Sequence, residues 1–381
     1  MALNEGSSPP AHVVPVDEAN RVGEARRAAA AMALALGFDE SVAGRVALVA
    51  TELATNLARH ATGGQLIIQA ADGPAVDLLA IDRGPGIANV ARAMLDGYSS
   101  RGTSGTGLGA IRRQADAVDL YSHPVPSGMP VVPRPDGAPA PTGEGTVVWA
   151  RCVRPANPVD MTHLLPARAP VADIAGVCVP VEGEQESGDA WAAVTAGGRL
   201  LVLVADGLGH GPAAAIASET AVSTFREFAA TLAPAVLVER LHAALRATRG
   251  AAVAIATFDG ARREIRFAGV GNVSGAVLTP AGSGLGTWTS HSMMSHNGTV
   301  GHQLRKVQEL VYAWPTGSLV VFHTDGIRSR WQLDPYPGLG TRCPAVIAGV
   351  LWRDYSRGRD DATAVVVRDA PTAAANDRLA A

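Results

Sequence analysis

The spacing of apolar residues changes along the chain and divides it into two regions. In the first region, apolar residues recur at helical spacing over about residues 17–36. A second stripe with the same spacing contains Val46, Val49, Leu53 and Leu57. Gly37 is a stop signal for the first stripe, and Asp39 is placed to cap the second. The pattern predicts two consecutive helices.

Strand-like and loop-like segments follow these helices. Apolar runs at 65–70 and 76–82 flank an Asp-Gly-Pro turn and predict paired strands. Residues 108–117 read as a helix and residues 146–153 as a strand. The Pro- and Gly-rich segment 122–145 has the composition of a linker. We interpret it as a long hairpin insertion, because the first domain needs the strand that follows it.

The second region is rich in strands at both ends, with helices at about 212–230 and 234–248 between them. Its predicted strands are 171–180, 189–195, 200–205, 252–258, 264–268, 319–323 and 362–367. We therefore expect two α/β domains, the second a sandwich. The predicted boundaries are a disordered tail at 1–15, a first domain at 16–153, a linker at 154–169, a second domain at 170–369 and a disordered tail at 370–381.

Composition narrows the class of protein. The chain has 381 residues, of which 47% are hydrophobic and 18% charged, enough for two packed cores. With a net charge of −3 and no basic run, nucleic acid is a poor partner. The sequence shows neither a signal peptide nor a membrane-spanning run, and its three cysteines match no metal or redox spacing. A soluble, cytoplasmic protein is expected.

Lys306 is the only lysine in the chain. A P-loop needs a lysine after its glycines, and ordinary protein kinases need one on a strand, so both classes are excluded. Any phosphate bound by this chain must be held by backbone amides, by arginine or by a metal ion.

Three short blocks in the first domain carry groups suited to a nucleotide. Glu52 and Asn56 are four residues apart on the second predicted helix, so they share one face. Such a carboxylate and amide can hold a hydroxyl group and a Mg²⁺ ion. Asp82 ends an apolar strand and can accept the adenine amino group, while Gly84 and Gly86 let a planar ring approach the backbone.

The third block is rich in glycine and opens a predicted helix. It consists of Gly105, Thr106, Gly107, Leu108 and Gly109. Amides at the start of a helix, together with the helix dipole, suit a polyphosphate. Each block alone also fits a solvated helix face, a turn or a plain helix entry. Their order within one small domain favours a nucleotide site.

With these blocks in this order, residues 15–153 resemble the GHKL ATPase family, whose members have the Bergerat fold. The resemblance is to its anti-sigma-factor serine kinases of the RsbT type, and segment 36–64 looks like the N-box helices of that branch. The Pro-rich insertion departs from the family pattern. No helix with a phosphoacceptor histidine is present in the sequence, which argues against a sensor histidine kinase.

The resemblance implies specific roles for the three blocks. It makes Glu52 the catalytic base, Asn56 the Mg²⁺ ligand and Asp82 the adenine contact. It implies a phosphate loop at 105–109 and an ATP lid at about 88–104, within which Arg101 would contact phosphate. The expected cofactors of this domain are therefore ATP and Mg²⁺.

Four aspartates at the ends of predicted strands form a second candidate site. They are Asp189, Asp206, Asp325 and Asp360. Strand ends can meet at one rim of a sandwich, and carboxylates without histidine or thiolate partners favour Mg²⁺ or Mn²⁺ over zinc. Two such ions, about 3.5–4 Å apart, would clamp a phosphoryl group. One Asp-Gly pair is most simply a turn, but four at strand ends favour a metal site.

The motifs SGDAW at 187–191 and VADGLGHG at 204–211 resemble the metal-dependent PPM phosphatases, in their SpoIIE-like branch, and look closest to RsbX-like stressosome phosphatases. The match covers about residues 170–368 and implies an α-β-β-α sandwich. It also implies a metal set of Asp189, the catalytic Asp206, the Gly207 carbonyl, Asp325 and Asp360. Asp361 is an alternative to Asp360. His210 and His323 are interpreted as loop or supporting residues.

The two resemblances together predict a bifunctional regulator of a partner-switching pathway. The first domain would phosphorylate a serine or threonine of a STAS-domain protein, and the second would remove such phosphates with two Mn²⁺ or Mg²⁺ ions. The alternatives are a phosphatase gated by nucleotide and a first domain that binds a sigma factor. The sequence leaves a homodimer open.

Overall fold

The first domain in this computed structural model is one antiparallel sheet with helices packed on one face. The structure describes residues 11–71, 73–94, 107–124, 144–155, 171–281, 286–305 and 307–369. The helices are α1 (Arg21–Ala35), α2 (Glu40–His60), α3 (Val90–Ala93) and α4 (Gly107–Gln114). The strands are β1 (His12–Pro15), β2 (Gln65–Ala70), β3 (Ala75–Ile81), β4 (Ala117–Ser122) and β5 (Thr146–Val153). Their order in the sheet is β1-β2-β3-β5-β4.

The predicted N-cap and the predicted apolar stripe of α2 are both present in the structure. The side chain of Asp39 caps α2 by accepting a hydrogen bond from the Val42 amide at 2.8 Å. The apolar stripe of α2, with Val46 and Leu53 at its centre, is buried against α1 and the sheet. The opposite side of α2 is therefore free to present polar groups.

The second domain is an α-β-β-α sandwich, as the sequence predicts. One sheet has the order β13-β10-β9-β8-β7 and the other β12-β11-β14-β15-β6. The strands are β6 (Ala172–Val179), β7 (Asp189–Ala196), β8 (Arg199–Gly207), β9 (Ala251–Asp259), β10 (Glu264–Val270), β11 (Ser274–Pro280), β12 (Trp288–Met293), β13 (Leu310–Ala313), β14 (Leu319–His323) and β15 (Ala362–Asp369). Helices α5 (Pro212–Phe228) and α6 (Pro234–Ala244) cover the first sheet. Helix α7 (Pro344–Tyr355) covers the second.

Helix α7 also covers the first domain. One apolar cluster contains residues of α7, of β6 and β15, and of β2, β3 and β5 in the first domain. The packing is tight at Gly349, where an added Cβ would lie 2.9 Å from Val147 Cγ1 and 3.3 Å from Leu79 Cδ2. Gln69 adds a buried hydrogen bond to the Gly176 carbonyl at 2.6 Å. The two domains thus share one helix as a common layer.

Three parts of the structure differ from the sequence prediction. Residues 12–15, predicted to lie in a disordered tail, form β1, which pairs with β2 and satisfies its edge. Strands β4 and β11–β13 were not predicted, because their apolar runs are short or mixed with polar residues. Helix α7 was also missed. Strands β4 and β5 are antiparallel neighbours on either side of the insertion, and residues 125–143 of that insertion lie outside the described residues.

Candidate nucleotide and metal sites

The helix block of the nucleotide site lies against the start of α4. Glu52 and Asn56 are half-buried on the same side of α2. Asn56 Oδ1 is 3.2 Å from the position that a Cβ would take at Gly107. A larger residue at Gly107 would therefore press on Asn56. The structure brings together the helix block and the end of the glycine-rich block, which are fifty residues apart in sequence.

Asp82 is held at the end of β3 by backbone amides. Its Oδ1 accepts hydrogen bonds from Gly84 at 2.7 Å and Thr146 at 3.3 Å. Burial raises the pKa of Asp82, while these amides and the charge of Arg353 act in the opposite direction. A Cβ at Gly84 would lie 3.0 Å from Asp82 Oδ1. The block is thus a fixed acceptor with little side-chain bulk beside it.

Part of the predicted phosphate-binding segment lies outside the described residues. This applies to Arg101, Gly105 and Thr106, and to residues 95–104 of the lid. The remaining members of the block, Gly107, Leu108 and Gly109, form the first turn of α4. Amides in the first turn of a helix have no acceptor within the helix, so they are available to a ligand.

The metal site draws its aspartates from both sheets of the sandwich. Asp189 and Asp206 are directly opposite each other on β7 and β8. Asp325 follows β14 and Asp360 precedes β15, in the other sheet. Thr324 joins the two sets, because its hydroxyl donates to Asp189 Oδ2 at 2.6 Å. The predicted convergence at one end of the sandwich is therefore present.

Asp189 is buried, the other three carboxylates are half-buried, and the four repel one another. Burial, and next the charge of Asp206, raises the pKa of Asp189 well above its usual range. Burial, followed by Asp325 and Asp360, raises the pKa of Asp206 to about 7. Two carboxylates facing each other in a ladder are unfavourable unless a cation or a proton lies between them.

The donor set fits a divalent cation. In the part of the chain that the structure describes, no three His, Cys, Asp or Glu side chains are close enough to hold one ion as they stand. Asp206 Oδ2 is nevertheless buried without a hydrogen-bond partner. A cation would neutralise the repulsion and give this oxygen a partner. The residues therefore suit Mg²⁺ or Mn²⁺, with some inward movement of the carboxylates.

The local contacts favour Asp360 over Asp361 as the ligand. Asp361 uses both oxygens as acceptors, from the amides of Val181 and Gly188 at 2.7 Å each. It thus fixes both ends of the loop that joins β6 to β7. Asp360 accepts only the Asp361 amide, at 3.0 Å, among the bonds that the structure describes. At Gly207, an added Cβ would lie 2.3 Å from the Ala214 carbonyl oxygen, so the chain requires glycine there.

Sequence comparisons identify the first domain. Over 101 residues the chain is 36% identical to the serine/threonine-protein kinase RsbT of Bacillus subtilis (strain 168), covering 76% of that protein and 26% of this chain. The chain belongs to the RsbT-like kinase family. A family model described as a histidine kinase-like ATPase domain matches residues 14–132. The RsbT-like domain is fused to a second domain, whose residues 196–368 match the model of stage II sporulation protein E (SpoIIE).

Solved structures to which the chain is similar include one of SpoIIE and one of RsbX. The PP2C phosphatase domain of SpoIIE from Bacillus subtilis, with a fragment of its regulatory domain, is 15% identical and has a TM-score of 0.43, covering 92% of this chain and 95% of that one. RsbX in complex with magnesium is 20% identical, with a TM-score of 0.46, covering 54% and 98%.

The pairing of an RsbT-like domain with a SpoIIE-type serine/threonine phosphatase domain marks a regulator of the partner-switching kind, which uses a nucleotide and a divalent metal. In the described residues, no helix has the length and apolar character needed to cross a membrane.

Two residues near the SpoIIE-type site escaped the sequence interpretation. Asn272 donates to Asp325 Oδ2 at 2.7 Å. Arg249 Nη1 is 3.1 Å from the position of a Cβ at Gly209. Neither stands at a spacing that links it to the aspartates, so only the fold reveals their proximity. His210, which the sequence interpretation placed near the site as a loop or supporting residue, has Nδ1 2.8 Å from Glu184 Oε1.

Proposed function

We propose that this chain adds phosphate to, and removes it from, a STAS-domain protein in the cytoplasm. The RsbT-like domain would phosphorylate serine or threonine with Mg-ATP. The SpoIIE-type domain would hydrolyse phosphoserine or phosphothreonine with two Mn²⁺ or Mg²⁺ ions. The observation that carries the proposal is the presence, in one chain, of an RsbT-like domain with Glu52 and Asn56 on one side of α2 and of strand-end aspartates from two sheets.

In the first reaction, each residue would have one task. Asp82, kept in place by the amides of Gly84 and Thr146, would accept the adenine amino group. Asn56 would hold Mg²⁺ beside the first turn of α4, whose amides would bind phosphate. Glu52, one helical turn before Asn56, would accept the proton of the attacking hydroxyl group.

In the second reaction, Asp189, Asp206, Asp325, Asp360 and the Gly207 carbonyl would hold the ions. The bound ions would activate water and neutralise the phosphoryl oxygens. Asp206 would be the central ligand, because its carboxylate interacts electrostatically with those of Asp189, Asp325 and Asp360. Thr324 would keep Asp189 oriented, and Asp361 would hold the loop between β6 and β7 in place.

The test is the intact mass of a purified STAS-domain protein after incubation with Mg-ATP. Asp206→Ala should allow phosphate to accumulate on the STAS protein, because it silences removal. Glu52→Gln should reduce transfer by a factor of about 10² to 10⁴. Asp173→Asn is a matched control, because Asp173 lies at the other end of β6 from the metal site.

Three results separate the possibilities. If phosphate accumulates on the STAS protein equally with Asp206→Ala and with Asp173→Asn, the four aspartates do not catalyse its removal. A STAS protein that stays unmodified with every variant, although ATP binds, contradicts kinase activity toward that protein. Release of phosphate from a phosphorylated STAS protein by wild type and not by Asp206→Ala supports the phosphatase half independently.

A second candidate function is a phosphatase gated by nucleotide, and contacts at Asp82 favour it. Arg83, next to the proposed adenine contact, pairs with Asp354 of α7 at 3.0 Å and donates to the Arg353 carbonyl. Arg353 Nη1 in turn donates to the Asp82 carbonyl at 3.4 Å. The side chains of Arg353 and Asp354 are only 1% and 3% exposed, so the α7 part of this connection is shielded from solvent, whereas the side chain of Arg83 is 57% exposed.

The same helix leads into the metal site. Just beyond its end, the Arg357 amide donates to the Gly326 carbonyl at 2.8 Å, one residue after Asp325. The Arg328 amide donates to the Tyr355 carbonyl at 2.9 Å. A small displacement at Asp82 on nucleotide binding would therefore reach Asp325 through α7, since packed helices move as rigid units.

Gating is tested with a small aryl phosphate and a non-hydrolysable ATP analogue. The analogue should change the phosphatase rate of wild type, and Arg83→Met should lose most of that change. Arg342→Met is the control, because Arg342 forms a different cross-domain pair, with Asp119 at 3.3 Å, away from Asp82. An analogue that leaves the rate unchanged in wild type would exclude gating.

A further inference from the structure

The turn between β10 and β11 crosses from one sheet of the sandwich to the other at the metal-binding end. Strand β10 belongs to the sheet that carries Asp206, and β11 to the sheet of β14, which precedes Asp325. Asn272 lies in this turn. Gly271, just before it, has φ +92°, and an added Cβ there would lie 2.4 Å from Ala252 Cβ. The turn is therefore packed tightly on β9.

The side chain of Asn272 contacts one aspartate from each sheet. Its Nδ2 donates to Asp325 Oδ2 at 2.7 Å. Burial and the charge of Asp325 raise the pKa of Asp206, and hydrogen bonding from the Asn272 side chain acts in the opposite direction. A carboxamide has two N–H donors on one nitrogen, so it can bridge two carboxylates without adding charge. The amide nitrogen thus lies between two groups that repel each other.

We propose that Asn272 is a positioning residue that holds Asp206 and Asp325 at a separation ready for the metal. The proposal rests on the metal centre of the proposed function and adds a residue to it. Without the amide, the two carboxylates would move apart, and an incoming ion would have to bring them back. Asn272 therefore lowers the metal concentration at which the site fills.

A positioning role makes a specific pair of predictions for Asn272→Ala. The dissociation constant for Mn²⁺, measured by calorimetric titration of the full-length chain, should rise about 10- to 100-fold. Saturating Mn²⁺ should restore the turnover number on an aryl phosphate to within about threefold of wild type, because the ions then hold the carboxylates themselves.

Asn297→Ala is the matched control, since Asn297 is an exposed asparagine next to His296, which bridges to β10. It should bind Mn²⁺ as wild type does. Unchanged Mn²⁺ affinity in Asn272→Ala would overturn the proposal. So would a turnover number that stays low at saturating Mn²⁺, which would place Asn272 in contact with the substrate instead.

The same titration separates this inference from the proposed function. If wild type binds no Mn²⁺, the metal centre itself is wrong. If wild type binds Mn²⁺ and Asn272→Ala binds it equally well, only the role of Asn272 is wrong. A thermal melt of each variant in EDTA identifies any loss of Mn²⁺ affinity that comes from misfolding, because a misfolded variant would melt at a lower temperature than wild type even without metal.

Discussion

At the scale of single residues, the proposed metal site brings like charges close together, which destabilises the folded chain. Asp189 is directly opposite Asp206 in the ladder, and Asp189 is buried while Asp206 is half-buried. Nothing in a packed core of Val, Ala and Leu requires two facing carboxylates. The ions that these carboxylates would bind explain why the two face each other. Without metal, the repulsion between them should destabilise the folded chain.

This strain makes stability depend on pH in a defined direction. The folded-state pKa of Asp206 is raised to about 7, above the ordinary value of about 4. Its protonated form therefore stabilises the fold below about pH 4, and this contribution is lost as pH rises through about 7. In EDTA, the thermal midpoint of wild type should fall between about pH 5 and pH 8 by roughly 5 °C more than that of Asp206→Asn.

Circular dichroism melts at the two pH values measure this difference. The asparagine variant keeps the shape of the side chain and cannot ionise, so it isolates the carboxylate. Equal pH dependence in the two proteins would show that Asp206 is not destabilised by its surroundings.

The sequence located the aspartates well and their supporting residues poorly. Each aspartate stands at the end of an apolar run, so its position at a strand end was readable. Asn272 and Thr324 have no comparable signal. Their roles depend on β10, β11 and β14 meeting at one end of the sandwich, which is a property of the tertiary fold.

At the scale of secondary structure elements, α7 has an unusual position. Ten of its twelve residues are buried, on every side of the helix. A helix that is apolar all round has to be enclosed by the protein. Here the second sheet of the sandwich lies on one side and the sheet of the RsbT-like domain on the other.

The interface should therefore be sensitive to bulk at Gly349. Gly349→Val would push Val147 and Leu79 of the first domain away from α7, since a Cβ alone already lies within 2.9 Å of Val147. We expect a loss of about 1–3 kcal/mol in the free energy of unfolding. Urea denaturation is the measurement.

Gly44→Val provides the comparison, because a Cβ at Gly44 in α2 meets nothing within 4 Å. The change there should alter stability only through helix propensity, by a few tenths of a kcal/mol. Similar losses in the two variants would mean that the contact at Gly349 is not tight.

The sequence of the strands in the first domain already indicated that their sheet is covered on both faces. Consecutive residues of β3 alternate between two clusters: Leu78 packs toward the helices and Leu79 toward α7. A continuous apolar run is typical of a strand buried on both faces. The sequence could not identify the partner of this second face, because α7 begins only at Pro344, far along the chain from β3, and its apolar residues have no amphipathic period.

At the scale of the whole molecule, the layers form one continuous stack. Helices α1, α2 and α4 come first, then the sheet of the RsbT-like domain, α7, the two sheets of the sandwich, and finally α5 with α6. Because α7 belongs to both domains, unfolding either one removes part of the core of the other.

We therefore expect one cooperative unfolding transition in scanning calorimetry, with calorimetric and van't Hoff enthalpies that agree. Adding Mn²⁺, which would bind only the SpoIIE-type domain, should raise the midpoint of this single transition. Two peaks, of which Mn²⁺ moves only one, would show instead that the domains unfold independently.

The shared helix also has a consequence for biosynthesis. The ribosome completes every strand of the RsbT-like domain well before it makes residues 344–355. Until then, one face of that sheet, including Ile67 and Trp149, has no cover. Nascent chains with such exposed faces are retained by chaperones or degraded. A message that is cut short would thus yield no free-standing RsbT-like half, and the two domains would be produced together or not at all.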